Sequence, residues 1–410
     1  IFPRIPLKDR VKISQNWQRG RCRKEAVLKW KNKDGKIILH QKQGSFSMEY
    51  SAHNQEVNCI DSKGRVIVSG SRDRTARVWS LSSNRLGECL HTIPTLDRVW
   101  SLAISPSQSS FVTGTACCSH VAPLRIWDVE SYSERTECGD EGLAQRMKVF
   151  FYVEVSIEVQ ELDRNKLTEG AGVAETDSCQ LLTCLGTDFR RGAGVLDVVY
   201  ESPSTLLSCG YDTFIRYWDV RASTSCQLLT CLGTDFRRGA GVLDVVYESP
   251  STLLSCGYDT FIRYWDVRAS TSCQLLTCLG TDFRRGAGVL DVVYESPSTL
   301  LSCGYDTFIR YWDVRASTRK CVMEWEEPHD SALYCIQSDS NHMIASGSSY
   351  YGVVRLWDKR QTCCLQTFSL SSPTSSPVYC LRFNSTHLYA ALASALYALD
   401  FKGLDSRGRK

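Results

Sequence analysis

Residues 195–220, VLDVVYESPSTLLSCGYDTFIRYWDV, alternate runs of β-branched and aromatic residues with short polar turns. The pattern predicts three strands, Val195–Tyr200, Thr205–Cys209 and Phe214–Val220, separated by turns at Ser202-Pro203 and Tyr211-Asp212-Thr213. A fourth strand is predicted from the CQLLTCLG that follows. These residues belong to a 47-residue unit repeated without mismatch at 178–224, 225–271 and 272–318. Because CQLLTCLG opens each unit but completes the preceding sheet, one unit spans two sheets and ties them together.

Each copy places Ser, Asp and Trp at one spacing: Ser208/Asp212/Trp218, Ser255/Asp259/Trp265 and Ser302/Asp306/Trp312. Residues 53–79 repeat it with a histidine added, as His53, Ser69, Asp73 and Trp79. Such spacing lets a turn Asp face the loop His, the strand Ser and the indole N–H in a hydrogen-bonded chain, which stabilises a blade only when complete. Residues 329–357 keep His329, Ser346 and Trp357 with Tyr350 in the Asp position, and residues 111–127 keep Thr113 and Trp127. The blade at 53–79 is therefore expected to be the most rigid.

Units near 53–80, 97–128, 195–219, 242–266, 289–313, 329–358 and 376–401 predict an all-β WD40 β-propeller of about seven blades. The last unit supplies only three strands, and Gly44–Tyr50 is placed to add the fourth and close the ring. Residues 36–42 read as a strand left over from a lost blade. The domain expectation is a basic N-terminal segment over 1–36, a propeller over 37–401 and a tail over 402–410.

Two features sit awkwardly in this ring. Blades drift apart because each needs only its pattern of buried faces, so three identical units imply a recent duplication or, as we favour, a fault in assembling the gene. Residues 131–177 insert 11 Asp/Glu and 5 Lys/Arg where a short connection would do. Within them Val149, Phe151, Val153, Val155, Ile157 and Val159 alternate as in a strand. Retained non-coding sequence is the favoured reading of this insertion, and an acidic docking segment the other.

Charge changes the picture only at the N-terminus. Residues 1–36 hold 12 Lys/Arg against 3 Asp/Glu, although the whole chain of 410 residues carries only +3. Basic positions there are interleaved with Ile5, Leu7, Val11, Ile13, Trp17, Val27, Leu28 and Trp30, which favours packing on a neighbouring structure over nucleic-acid binding. No apolar run approaches the ~20 residues of a membrane helix. The 20 cysteines form no CxxC pair and read as small buried apolar residues in a reducing, cytoplasmic or nuclear setting. Cys117-Cys118-Ser119-His120 reads as a loop, not a metal site. The seven histidines make no HExxH or nucleophile pairing and no phosphate loop follows a strand, so neither catalysis nor a cofactor is expected.

Several stretches carry a finer resemblance: SQNWQRGRC at 14–22, YSAHNQEVNC at 50–59, IVSGSRDRTARVW at 67–79, FVTGTACC at 111–118, KCVMEWEEPHDSALYC at 320–335 and SGSSYYGVVRLWD at 346–358. With them the chain resembles the F-box/WD-repeat family over most of its length outside 131–177. The resemblance implies a substrate receptor of a cullin-RING ubiquitin ligase. In that role an F-box holds a Skp-type adaptor and the propeller presents a protein substrate. The chain starts at Ile1, and the F-box is expected upstream. A WD scaffold without ubiquitin chemistry is the alternative. In either case the turns between second and third strands and the loops entering first strands gather on one side. They carry Arg72, Arg74, the pairs Arg190/Arg191, Arg237/Arg238 and Arg284/Arg285, and Tyr211, Tyr258, Tyr305, Tyr350 and Tyr351. Forked guanidinium groups among aromatics suit an acidic or phosphorylated peptide.

Overall fold

The computed structural model describes residues 28–31, 37–40, 46–129 without 83–85 and 119–121, 180–185, 189, and 192–400 without 221–226, 233–240, 250–251, 268–273, 280–286, 297, 316–320, 328–330, 362–363, 371–375 and 385–386. Every regular element among them is a strand, and seven antiparallel four-stranded sheets follow one another as blades. Blade 1 comprises Val57–Lys63, Val66–Ser71, Thr75–Ser80 and Cys89–Pro94. Blade 2 takes Val99–Ile104, Ser110–Thr115 and Leu124–Asp128, and its fourth strand, Gln180–Leu185, lies beyond the insertion. The expected strand pattern at 149–159 falls outside the described residues.

Blades 3 to 5 come from the tripled unit. Blade 3 holds Val195–Ser202, Thr205–Gly210, Ile215–Asp219 and Gln227–Leu232. Blade 4 holds Val242–Ser249, Thr252–Gly257, Ile262–Asp266 and Gln274–Leu279. Blade 5 holds Val289–Ser296, Thr299–Gly304, Phe308–Asp313 and Cys321–Glu326. Each CQLLTCLG completes the sheet before it, as the offset of unit and blade requires. The third strand of blade 3, Ile215–Asp219, lies one residue inside its sequence pattern at each end.

Blade 6 is Leu333–Ser338, Met343–Ser348, Val353–Asp358 and Cys364–Ser369. Blade 7 joins Val378–Phe383, His387–Leu392 and Ala395–Asp400 to the N-terminal strand Phe46–Ser51. Phe46 stands opposite Leu399 and Ser51 opposite Ala395, so the two ends of the ring share one sheet. This pairing satisfies a strand edge that would otherwise be open. Ile37–His40 pairs instead with Leu28–Lys31 in a separate two-stranded sheet.

The core lies between blades. Leu207, Ile215 and Tyr217 of blade 3 pack on Val242, Val245, Leu253 and Trp265 of blade 4. Leu301, Ile309 and Trp325 of blade 5 meet Leu333, Ile336 and Trp357 of blade 6 in the same way. A second strand is therefore covered on both faces, and Leu206, Leu207, Ser208, Cys209 and Gly210 are all buried in succession. Buried thiols fill this core: burial pushes Cys209, Cys256, Cys303 and Cys335 well above the usual thiol range, which keeps them neutral. The twelve cysteines whose side chains the structure describes are free, seven of them buried.

Polar staples join neighbouring first strands. Asp197 accepts the Val245 amide at 3.2 Å, Asp244 the Val292 amide at 2.8 Å and Asp291 the Ile336 amide at 2.7 Å. Three carboxyls thus gather in adjacent blades. Burial, then the carboxylates of Asp197 and Asp291, push Asp244 well above the carboxylate range, and its retained proton serves a hydrogen bond to Asp197.

Candidate functional site on one face of the ring

Turns and inter-blade loops meet on one face because each turn is bonded to the loop beside it. The Arg72 amide donates to the Glu56 carbonyl at 2.9 Å, and the Ala116 amide to that of Arg98 at 3.0 Å. Tyr211 donates to Ala193 at 3.1 Å, Tyr305 to Gly288 at 3.1 Å and Ser349 to Ala332 at 2.8 Å. The residue after the turn aspartate adopts the left-handed conformation, with φ of 66° at Arg74, 70° at Thr213, 73° at Thr260 and 68° at Thr307. Tyr351 does the same at 61° after Tyr350, the residue in the aspartate's place. Backbone geometry therefore survives where the side-chain motif is lost.

In blade 1 the His53, Ser69, Asp73 and Trp79 side chains form one chain. Trp79 Nε1–H donates to Ser69 Oγ at 2.9 Å, and Ser69 Oγ lies 2.8 Å from His53 Nε2. His53 Nδ1 lies 3.0 Å from Asp73, whose other oxygen accepts from Thr75 Oγ1 at 2.7 Å. Burial lowers the His53 pKa against the pull of Asp73, so the ring is neutral, its Nδ1–H donating to Asp73 and Nε2 accepting from Ser69. Burial alone would raise Asp73, but donors from Thr75, Asn54 and His53 outweigh it and hold the carboxyl low.

The Trp-to-Ser bond recurs in blades 3 to 6, and blade 2 replaces Ser with Thr113, 3.0 Å from Trp127 Nε1. The turn aspartates of the tripled blades are not left without a partner for want of histidine. Arg216 donates to Asp212 at 2.6 Å, Arg263 Nη1 to Asp259 at 3.0 Å, and Arg310 pairs with Asp306. Each arginine lies four residues after its aspartate on the third strand, so its side chain folds back over the turn. In blade 6, where Tyr350 replaces the aspartate, Arg355 forks onto buried Glu327 at 2.6 and 2.8 Å. His329 lies outside the described residues.

Six aromatic rings run through six blades along the inner rim of this face. Trp100 meets Tyr211 edge-on at 5.5 Å, and Tyr211, Tyr258 and Tyr305 stack at successive centroid distances of 6.3 Å. Tyr305 meets Tyr334 at 6.4 Å, and Tyr334 meets Tyr379 at 6.3 Å. Tyr350 and Tyr351, 59% and 64% exposed, form a pair 6.2 Å apart beside Tyr334. Blade 1 breaks the arc with the Arg72–Glu56 ion pair at 3.6 Å, which lies near Tyr379. Burial, then the neighbouring hydroxyls, push the Tyr258 phenol up; burial, then the Glu56 charge, do the same to Tyr379.

Gly194 makes the Trp100 end of the arc possible. A Cβ on Gly194 would lie 2.3 Å from Trp100 Cζ3, and its φ of +26° disfavours a side chain as well.

Of the residues singled out by sequence, the structure brings Arg72, Arg74 and Tyr211, Tyr258, Tyr305, Tyr350 and Tyr351 to this face. Arg190, Arg191, Arg237, Arg238, Arg284 and Arg285 lie outside the described residues, as do Ser119 and His120. Sequence reasoning missed Trp100, Tyr334 and Tyr379. Their signal was a shared position, the second residue of a first strand, in Val99-Trp100, Leu333-Tyr334 and Val378-Tyr379.

The WD domain, G-beta repeat family matches residues 44–80 and 319–358. With the seven four-stranded blades, that match decides the assignment. The chain carries WD40 repeats on a seven-bladed β-propeller. It is also similar to F-box/WD repeat-containing protein 4 of Mus musculus, at 39% identity over 85% of this chain, and to that of Homo sapiens, at 38% over 86%. The chain spans 66% of the length of each of these relatives. The WD40 β-propeller domain of Doa1 superposes with a TM-score of 0.60, covering 87% of this chain and 96% of that one at 16% identity, which speaks to the fold alone. The tyrosine, tryptophan and arginine of this rim are the residue types that dominate protein interfaces.

Proposed function

We propose that this propeller is the substrate-recognition part of an SCF-type (Skp–cullin–F-box) E3 ubiquitin ligase, with the aromatic rim holding the protein to be ubiquitinated. The carrying observation is the arc from Trp100 to Tyr379, an exposed-edged aromatic surface with arginines at its blade 1 end. Similarity to F-box/WD repeat-containing protein 4 supports the ligase context. The role is binding and not catalysis. In this reading, contact with the adaptor and cullin falls to an F-box, not to the propeller. A cytoplasmic or nuclear location goes with this reading, in keeping with the free thiols.

Affinity purification of the full-length protein from cells tests the proposal. Co-purification of a Skp-type adaptor and a cullin is expected, together with a protein whose abundance rises when the full-length protein is depleted. A full-length protein that captures partners but never adaptor or cullin would instead be a WD scaffold without a ubiquitin role.

A further inference from the structure

We infer that the rim takes a protein segment of two parts: carboxylates at the blade 1–2 corner and apolar or aromatic residues on the adjoining rings of the arc. This rests on reading the face as a protein-binding surface and adds the chemistry of the segment it holds.

Charge accounting on the face carries the first part. Among the described residues of the turns and inter-blade loops, every carboxylate is already engaged. Asp73 is held by His53 and Thr75, Glu56 by Arg72, and Asp212, Asp259 and Asp306 by the arginines that fold over them. Asp97 is buried and accepts the amides of Arg98 at 2.8 Å and Cys118 at 2.6 Å, while Glu327 is forked by Arg355. The cations are not matched in this way. Arg74 is exposed on its left-handed turn, Arg98 is half-buried, and neither side chain has a carboxylate partner among the described residues. Arg74 and Arg98 flank one loop, since the Arg74 carbonyl accepts the Thr95 amide at 2.8 Å. Between them Leu96 stands 61% exposed. Arg72, held only by a 3.6 Å contact between two largely exposed side chains, can also turn to a ligand. At the blade 1–2 corner, spare cations without a spare carboxylate select an anionic partner.

The arc carries the second part. It starts at Trp100, two residues beyond Arg98, and runs to Tyr379 with centroids 5.5–6.4 Å apart. An extended chain advances ~6.6 Å for every two residues. Two residues of such a segment therefore span one ring-to-ring step, and three alternate side chains reach Trp100, Tyr211 and Tyr258 before the closed ring curves away. The phenols bordering the rings accept or donate hydrogen bonds to the segment's backbone.

Fluorescence anisotropy on the full chain, with three labelled nine-residue peptides, tests the inference. One has three Glu followed by alternating Phe and Gly, one replaces Glu with Lys, and one replaces Glu with phosphoserine. The Glu peptide is expected to bind at least about tenfold more tightly than the Lys peptide, by the strength of charge-assisted hydrogen bonds. The double variant R74E/R98E should erase that preference, and Y211S/Y258S should weaken the Glu and Lys peptides alike. These positions are exposed or half-buried, and an unchanged melting temperature shows that each variant is folded. Equal binding of Glu and Lys peptides, or a preference that survives R74E/R98E, overturns the inference. Binding confined to the phosphoserine peptide overturns its commitment to carboxylates. No peptide binding by a protein that still captures its substrate and adaptor in cells overturns this inference while leaving the ligase proposal standing.

Discussion

Asp212 accepts a hydrogen bond from Arg216 Nη2 at 2.6 Å, in the place where Asp73 of blade 1 meets His53. The two blades solve one problem, a partly buried turn carboxylate, with different partners. Blade 1 has the full His/Ser/Asp/Trp set that the sequence singled out, yet the turn aspartate of blade 3 is satisfied as well. The arginine four residues downstream replaces the histidine.

Asp212→Ala is therefore expected to destabilise the protein by about 3 kcal/mol, the usual cost of stranding one member of a buried ion pair. Asp73→Ala leaves neutral donors without an acceptor and is expected to cost about 1–3 kcal/mol. Replacing Arg216 with Met in the Asp212→Ala background should recover most of the loss, which a double-mutant cycle on urea melts would show. Additive losses in that cycle would mean that the pair contributes nothing of its own.

Stability should fall with acid through blade 1. The fold holds His53 below its ordinary 6.5, so as pH drops the unfolded chain takes up the proton first. The contribution is whole above pH 6.5 and is lost as pH falls below it. Asp73, held below its ordinary 3.8, acts in the same direction at lower pH. His53→Gln should flatten the decline of melting temperature between pH 6.5 and 5, measured by differential scanning calorimetry.

Asp244 carries the opposite sign. Its pKa is raised well above 3.8, so its contribution is present below that value and is lost as pH rises through the folded pKa. Asp244→Asn still accepts the Val292 amide and replaces a carboxyl forced to hold its proton between Asp197 and Asp291 with a group that is neutral at every pH. The variant is expected to melt higher than the parent at pH 8, with the difference closing toward pH 4. A lower melting temperature at pH 8 would show that the three carboxyls do not repel.

Ring closure should depend on Phe46–Ser51 and not on the residues before it. Removing residues 1–43 leaves the pairing of Phe46–Ser51 with Ala395–Asp400 intact, and a single cooperative melt is expected. Removing residues 1–51 exposes the edge of Ala395–Asp400 and is expected to yield aggregates on size-exclusion chromatography.

Much of the ring was legible before any coordinate. Strand existence in blades 3 to 5 followed from alternation between turn residues, and the offset of unit and blade followed from where CQLLTCLG falls. The His53–Ser69–Asp73–Trp79 chain was readable from spacing because each member occupies a fixed place on its strand or turn. The Arg216 partnership was not read, although Asp212 and Arg216 are only four residues apart, because attention to a missing histidine hid a nearer cation.

The aromatic arc belongs to the other class. Tyr211, Tyr258 and Tyr305 sit on turns, whereas Trp100, Tyr334 and Tyr379 sit on first strands, and neighbouring rings lie from 29 to 111 residues apart in the chain. Local pattern determined strands, turns, blade number and the closing strand, because those depend on side-chain period and on hydrogen bonds between adjacent segments. Only the closed ring decided which rings touch, which aspartates crowd together and which arginines are left without a carboxylate. Those relations depend on the angle and spacing between blades, and one blade's sequence does not contain the next blade's position.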